Sequence, residues 1–129
     1  MKTLNELYTN IDVIEYVRDF FKNQRQDGYD HSKNIPIQCL SYRATNGTKC
    51  AIGCLIDNSF YSEEFEGNRV LDAEMLPNKA IVEAIQKSIP NWEIDLILLD
   101  KLQTIHDRLP IDAWMNNFEI LIRQEKGDW

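Results

Sequence analysis

The chain has 129 residues, of which 43% are hydrophobic and 27% are charged, a composition typical of one globular domain spanning residues 1–129. Its formal net charge of −7 argues against direct binding to nucleic acid or to a membrane, because phosphate-rich surfaces attract lysine and arginine. No apolar run is long enough to span a bilayer and no apolar leader follows Met1, so we expect a cytoplasmic protein whose thiols stay reduced.

The first part of the chain predicts one amphipathic helix. Thr9 is placed to cap it, and Asp12 follows three residues later, as in a capping box. Ile14, Val17 and Phe21 recur at helical spacing and predict the buried face of this helix.

Residues 37–44 and 48–56 predict the two strands of a hairpin. The dipeptide Asn46-Gly47 between them favours the positive backbone angles of a type I′ turn. One alternative stays open for the second strand. Because Ala51 and Gly53 are weak strand formers, the chain can instead turn helical after Cys50.

The remainder reads mainly as helices separated by breaker residues. Ser62 predicts the start of a short acidic helical turn, and Asn78, after a proline, opens a second long helix. Asn91 is placed to cap the third helix, Pro110 precedes the last one, and Gly127 ends it. The predicted fold is therefore α+β and helix-rich: a small β-hairpin or sheet packed against about four α-helices.

From residue 39 onward the chain carries the segment CLSYRATNGTKCAIGCLI, then Tyr61 and Glu66-Gly67, and later LQTIHD at residues 102–107. This pattern resembles a family of small proteins carried by tailed phages and prophages. The resemblance implies a phage accessory protein that acts in the host cytoplasm. By analogy with other small phage proteins, we expect a non-enzymatic protein that binds and inhibits a host or anti-phage defence component. The alternative is a protein that sequesters a signalling nucleotide.

Tyr42, Arg43 and Lys49 flank the predicted turn and are candidate ligand- or partner-binding residues. A guanidinium group offers a fork of donors for phosphate, and a tyrosine ring offers a stacking face for a base. The simpler interpretation pairs Arg43 with a carboxylate and packs Tyr42 on the core.

Glu63, Glu64 and Glu66 are the second group of candidate partner-binding residues, and Asp72 and Glu74 extend the acidic stretch. Closely spaced carboxylates can imitate nucleic-acid phosphates and occupy a basic surface of a host protein. The simpler interpretation is a solvated acidic face.

Cys39, Cys50 and Cys54, with His106 or His31, have the residue types of a zinc site. The residues favour three small buried thiols instead, because no Cys-x-x-Cys knuckle is present and free cysteine is among the most buried residue types. A cysteine nucleophile with His106 as its base would make an enzyme, but no oxyanion-hole motif accompanies it. We therefore predict no cofactor and no catalytic residues.

Self-association is an alternative use of the last helix. Trp114 and Phe118 belong to an apolar stripe at helical spacing, and Trp129 closes the sequence. Exposed, such a stripe would support a homodimer. Buried, it would be ordinary core.

Overall fold

The computed structural model describes residues 2–24, 29–30, 35–36, 51–66, 68–72, 74–108 and 111–127. Within these ranges the α-helices are α1 (Asn10–Gln24), α2 (Lys79–Ser88), α3 (Leu96–Arg108) and α4 (Ile111–Lys126). Short 3-10 helices span Leu4–Glu6, Gly53–Leu55, Asn58–Phe60 and Glu63–Phe65. Two-residue strands, β1 (Tyr29–Asp30) and β2 (Ile35–Pro36), pair antiparallel, with Tyr29 opposite Pro36.

The predicted α+β class is wrong, because helical residues make up 66% of the described chain and no sheet layer accompanies them there. Two residues per strand fall well short of the roughly five that form a sheet layer. Part of the predicted return strand is described, and there the chain makes a turn and the 3-10 helix Gly53–Leu55, so the helical alternative after Cys50 is confirmed. Residues 37–44 and the Asn46-Gly47 turn lie outside the described residues.

The physical reason for this error lies in residues 51–56, which read AIGCLI and are buried at every position. A strand at the surface of a core needs one polar face, and this run has none. Periodicity cannot distinguish a short apolar run in a strand from one in a buried helical turn. The segment therefore packs with its whole perimeter inside the core, beside α1.

The core is organised around the packing of α1 against α4. Phe21 of α1 lies 5.0 Å, ring centre to ring centre, from Trp114 and 6.1 Å from Phe118, both on α4. Ile14 and Val17 are fully buried on the same face of α1. The predicted apolar stripes of both helices are confirmed, and the stripe of α4 is core within this chain.

Two predicted helix starts are confirmed by their hydrogen bonds. The Asp12 amide donates to Thr9 Oγ1 at 3.1 Å, and the Thr9 amide donates back to Asp12 Oδ2 at 3.2 Å. The amide of Tyr8 donates to the same carboxylate oxygen at 3.0 Å. Asn78 Oδ1 accepts from the Ile81 amide at 3.2 Å and starts α2. Caps of this kind contribute about 1 kcal/mol each.

The predicted cap of the third helix is wrong. Asp95, not Asn91, caps α3, since its Oδ1 accepts from the Leu98 amide at 3.1 Å. The buried indole of Trp92 explains the delay: its Nε1–H donates to Asn10 Oδ1 at 2.9 Å, which ties the chain to α1 before α3 begins. Because the sequence offers two possible caps, Asn91 and Asp95, the choice between them depends on where Trp92 is buried.

Candidate interaction site

The predicted binding residues beside the Asn46-Gly47 turn, Tyr42, Arg43 and Lys49, lie outside the described residues. Their proposed role in binding an anion or a nucleotide stays a prediction.

The cysteine and histidine candidates are only partly described. Cys39, Cys50 and His31 lie outside the described residues, and His106 falls within α3, with its side chain outside the description. Cys54 is buried, and its thiol donates to the carbonyl oxygen of Ala51 at 3.2 Å. Among the side chains that the structure describes, no group of three or more His, Cys, Asp or Glu could hold a metal ion. The zinc and nucleophile hypotheses stay untested predictions.

The acidic stretch begins with the helical turn that the sequence predicts at Ser62. Ser62 Oγ accepts from the Glu64 amide at 3.3 Å, and the 3-10 helix Glu63–Phe65 follows. Phe65 is buried in the core, whereas Glu63 and Glu64 are exposed. Burial of Phe65 thus fixes the turn, and the two carboxylates before it face solvent.

Glu66 behaves differently from the two glutamates before it. The hydroxyl of Tyr61 donates to Glu66 Oε2, and the ring of Tyr61 packs edge-on against Phe65 with centroids 6.0 Å apart. Glu66 is half-buried as a result. Its carboxylate contributes to holding this segment together, so the exposed part of the predicted trio is Glu63 and Glu64.

The next residues attach the acidic stretch to α3. Arg69 Nη2 lies 3.3 Å from Asp100 Oδ1, and the Val70 amide donates to Gln103 Oε1 at 3.3 Å. Gln103 is fully buried, so this hydrogen bond lies inside the protein. Arg69, the one cation within the stretch, thus pairs with a carboxylate of α3.

A tight loop closes the stretch and was not predicted from the sequence. We call residues 71–72 and 74–77 the Met75 loop. Leu71 and Pro77 form an isolated antiparallel bridge, and the Asp72 amide donates to the carbonyl oxygen of Leu76 at 3.1 Å. The Met75 amide donates to the Asp72 carbonyl oxygen at 2.9 Å. The loop therefore has a defined, hydrogen-bonded closure.

The side chain of Asp72 fixes the tip of the Met75 loop. Its Oδ1 accepts from the amides of Glu74 at 2.8 Å and Leu76 at 2.9 Å. Between these contacts Met75 adopts a φ of 63°, in the left-handed region that residues other than glycine rarely occupy. Such conformations cost free energy and persist only where their surroundings enforce them.

The Met75 loop presents two large apolar side chains to solvent. Met75 is 52% exposed and Leu76 is 57% exposed, while Asp72 and Glu74 beside them are exposed as well. Scattered single apolar residues are ordinary on a surface, whereas this adjacent exposed pair on a hydrogen-bonded loop is a candidate contact site. The one feature of the sequence that could have indicated this site is the apolar pair Met75-Leu76 directly after Glu74.

No family model, curated protein or solved structure matches this chain. The resemblance to small phage and prophage proteins therefore stays a prediction. Along the residues that the structure describes, no helix is both long and apolar enough to cross a membrane.

Proposed function

We propose that this chain is a non-enzymatic phage or prophage accessory protein that binds and inhibits a host or anti-phage defence protein. The observation that supports it best is the apolar pair Met75-Leu76, held in solvent between the exposed carboxylates of Asp72 and Glu74. The resemblance supplies the expected partner class and the host cytoplasm as its place of action.

The composition of this surface indicates the chemistry of the partner. Exposed carboxylates at Asp72 and Glu74 flank the apolar pair and favour a basic surface. Glu63 and Glu64, exposed earlier in the acidic stretch, and the net charge of −7 strengthen that attraction at long range. Charge complementarity mainly raises the association rate and selects the partner, whereas buried apolar anchors supply most of the affinity. The partner we propose has an apolar pocket surrounded by lysine or arginine.

The closure of the Met75 loop favours this role. Binding costs free energy when loops must be ordered at the interface, and a loop already fixed in its bound shape avoids much of that cost. The two hydrogen bonds that Asp72 Oδ1 accepts and the Leu71–Pro77 bridge supply this order in the free chain. In this account, the unfavourable backbone conformation of Met75 is the free-energy cost of holding Met75 and Leu76 exposed to a partner.

Quantitative affinity capture from bacterial lysate tests the proposal. The bait chains are the unaltered protein, Leu76→Ser and, as a matched control, Ile97→Ser, whose side chain is 53% exposed on α3. We expect a discrete basic protein that Leu76→Ser loses by at least about tenfold and Ile97→Ser retains, since a buried leucine contributes roughly 2 kcal/mol. Equal recovery with all three chains would contradict the proposal.

A further inference from the structure

An open groove lies beside the N-terminal residues and the end of α2. Its volume is the largest among four cavities lined by residues that the structure describes. It has a volume of about 690 Å³, within the range of small-molecule sites. We call it the Lys87 groove. The lining side chains used below are Lys2, Tyr16, Asp57, Phe60 and Lys87.

The charge of this groove differs from that of the other cavities. Lysines outnumber carboxylates here, with Lys2 and Lys87 against Asp57. In the other three cavities, carboxylates outnumber lysines. Asp12 and Glu83 pair with these lysines, but two lysines among the lining side chains of a chain of net charge −7 differ from the average surface and favour an anionic ligand.

Neither lysine is saturated by its ion pair. Lys87 Nζ lies 3.9 Å from Glu83 Oε1, and both side chains are exposed, so this i,i+4 pair contributes only a few tenths of a kcal/mol. Lys2 Nζ lies 2.8 Å from Asp12 Oδ1. An ammonium group has three N–H donors, so each lysine can donate to a further anionic oxygen.

Two aromatic rings supply the apolar part of the groove. Phe60 is 39% exposed and lines the groove, so part of its ring is accessible to a ligand. Tyr16 is half-buried, and burial raises the pKa of its phenol, so the hydroxyl remains a neutral donor at physiological pH. A flat ring can stack on an aromatic side chain for about 1–3 kcal/mol.

Hydrogen bonds within the wall fix Phe60 relative to α2. The Asp57 amide donates to Ser88 Oγ at 2.8 Å, and Ser88 Oγ donates to the carbonyl oxygen of Ala84 at 2.7 Å. Asp57 Oδ1 then accepts from the Ser59 amide at 2.9 Å and starts the turn that carries Phe60. Hydrogen bonds within the protein thus hold this wall of the groove.

We infer that the Lys87 groove binds a small organic anion that carries a flat ring. The ring stacks on Phe60, and the anionic group accepts hydrogen bonds from Lys2 and Lys87. This site shares no residue with the Met75 loop or with the predicted binding residues Tyr42, Arg43 and Lys49. Ligand binding in the Lys87 groove can therefore be tested independently of the proposed protein partner.

Titration calorimetry with the four nucleoside 5′-monophosphates tests the site, with adenosine and inorganic phosphate as probes of the ring and the anion alone. We expect saturable binding with a Kd below about 1 mM for at least one monophosphate, and weaker binding of adenosine and of inorganic phosphate. Lys87→Ala and Phe60→Ala should each weaken binding about tenfold, through loss of a charge-assisted bond or of stacking. The matched control, Lys79→Ala at the start of the same helix, should bind like the unaltered chain.

Three results would overturn the inference. They are the absence of saturable binding by every monophosphate, phosphate binding as tight as that of the best monophosphate, and equal loss in Lys79→Ala and Lys87→Ala. Circular dichroism of each variant confirms that it is folded. Chemical-shift changes at Phe60 and Ser88 on adding the best monophosphate locate the ligand independently of the substitutions.

Discussion

The contact between α1 and α4 and the segment from residue 57 to residue 77 are stabilised in different ways. The helix pair buries the rings of Phe21, Trp114 and Phe118 against one another. The ion pair between Arg18 and Glu119, at 2.9 Å, links the same two helices. The described part of the segment has only short 3-10 helices and one bridge, and single polar side chains fix each turn. Substitutions in the helices should therefore change global stability, whereas substitutions in the segment should change local shape and binding.

The largest effect is expected in the helix pair. Phe21→Ala removes the ring that contacts both Trp114 and Phe118, and it leaves a cavity that the surrounding helices close only in part. We expect a loss of about 3–5 kcal/mol in the free energy of unfolding, measured by urea denaturation. Phe60→Ala, which truncates a partly exposed ring, serves as the control and should cost far less. Similar losses in the two variants would show that the α1–α4 contact is not the main core.

The second effect tests the junction between the two regions. Gln103→Leu removes the buried oxygen that accepts from the Val70 amide and leaves that donor without its partner inside the protein. We expect a loss of about 1–3 kcal/mol in the free energy of unfolding. Hydrogen exchange at the Val70 amide should accelerate more than exchange within α1. Uniform acceleration throughout the chain would contradict a local junction.

A smaller and purely local effect is expected in the Met75 loop. Asp72→Ala removes both side-chain bonds at the tip and should cost about 1 kcal/mol. The amides of Glu74 and Leu76 should lose protection from hydrogen exchange, and partner capture should fall with them. Asp72→Asn retains an acceptor oxygen and is the matched control. Unchanged protection in Asp72→Ala would mean that the Leu71–Pro77 bridge alone orders the loop.

The smallest expected effect depends on pH. Partial burial works against ionisation of Asp12, but hydrogen bonds from Lys2 and from the amides of Tyr8 and Thr9 outweigh it and hold the pKa of Asp12 below its ordinary value. A lowered folded-state pKa means that this stabilisation is complete above the unfolded pKa of about 3.9. It is lost as the pH falls through the folded pKa.

Urea denaturation of the unaltered chain and of Asp12→Asn checks this sign. The difference in the free energy of unfolding should be largest near neutral pH, at about 1 kcal/mol or less, and should shrink in acid. A difference that grows in acid would contradict the direction of the pKa shift. Thr9→Ala removes the other half of the capping box and should lower the free energy of unfolding by a similar amount near neutral pH and in acid.

The helices were predictable because their signals are local and repeated. Ile14, Val17 and Phe21 define a face over about two turns, and Thr9 marks where that helix begins. Gly127 ends α4 with a φ of 78°, as a glycine after the last turn does. Each of these signals can be read without knowing what the helix packs against.

The remaining features depend on tertiary contacts. The AIGCLI run at residues 51–56 reads equally well as a strand, and its burial on all sides decides otherwise. Asp95 replaces Asn91 as a cap because Trp92 is buried beside α1. The shape of the loop that exposes Met75 and Leu76 depends on two hydrogen bonds to Asp72 Oδ1. No apolar periodicity in the sequence predicts that shape. The acidic residues of the candidate site were predictable, whereas its apolar anchor was not.

We propose that Leu76 on the Met75 loop enters an apolar pocket of a basic partner. The most direct test places a photocrosslinking benzophenone amino acid at position 76, and in a second chain at position 97, inside bacterial cells. We predict one discrete crosslinked protein of basic isoelectric point from position 76 and none of that mass from position 97. Either no adduct at position 76 or the same adducts from both positions would contradict the claim.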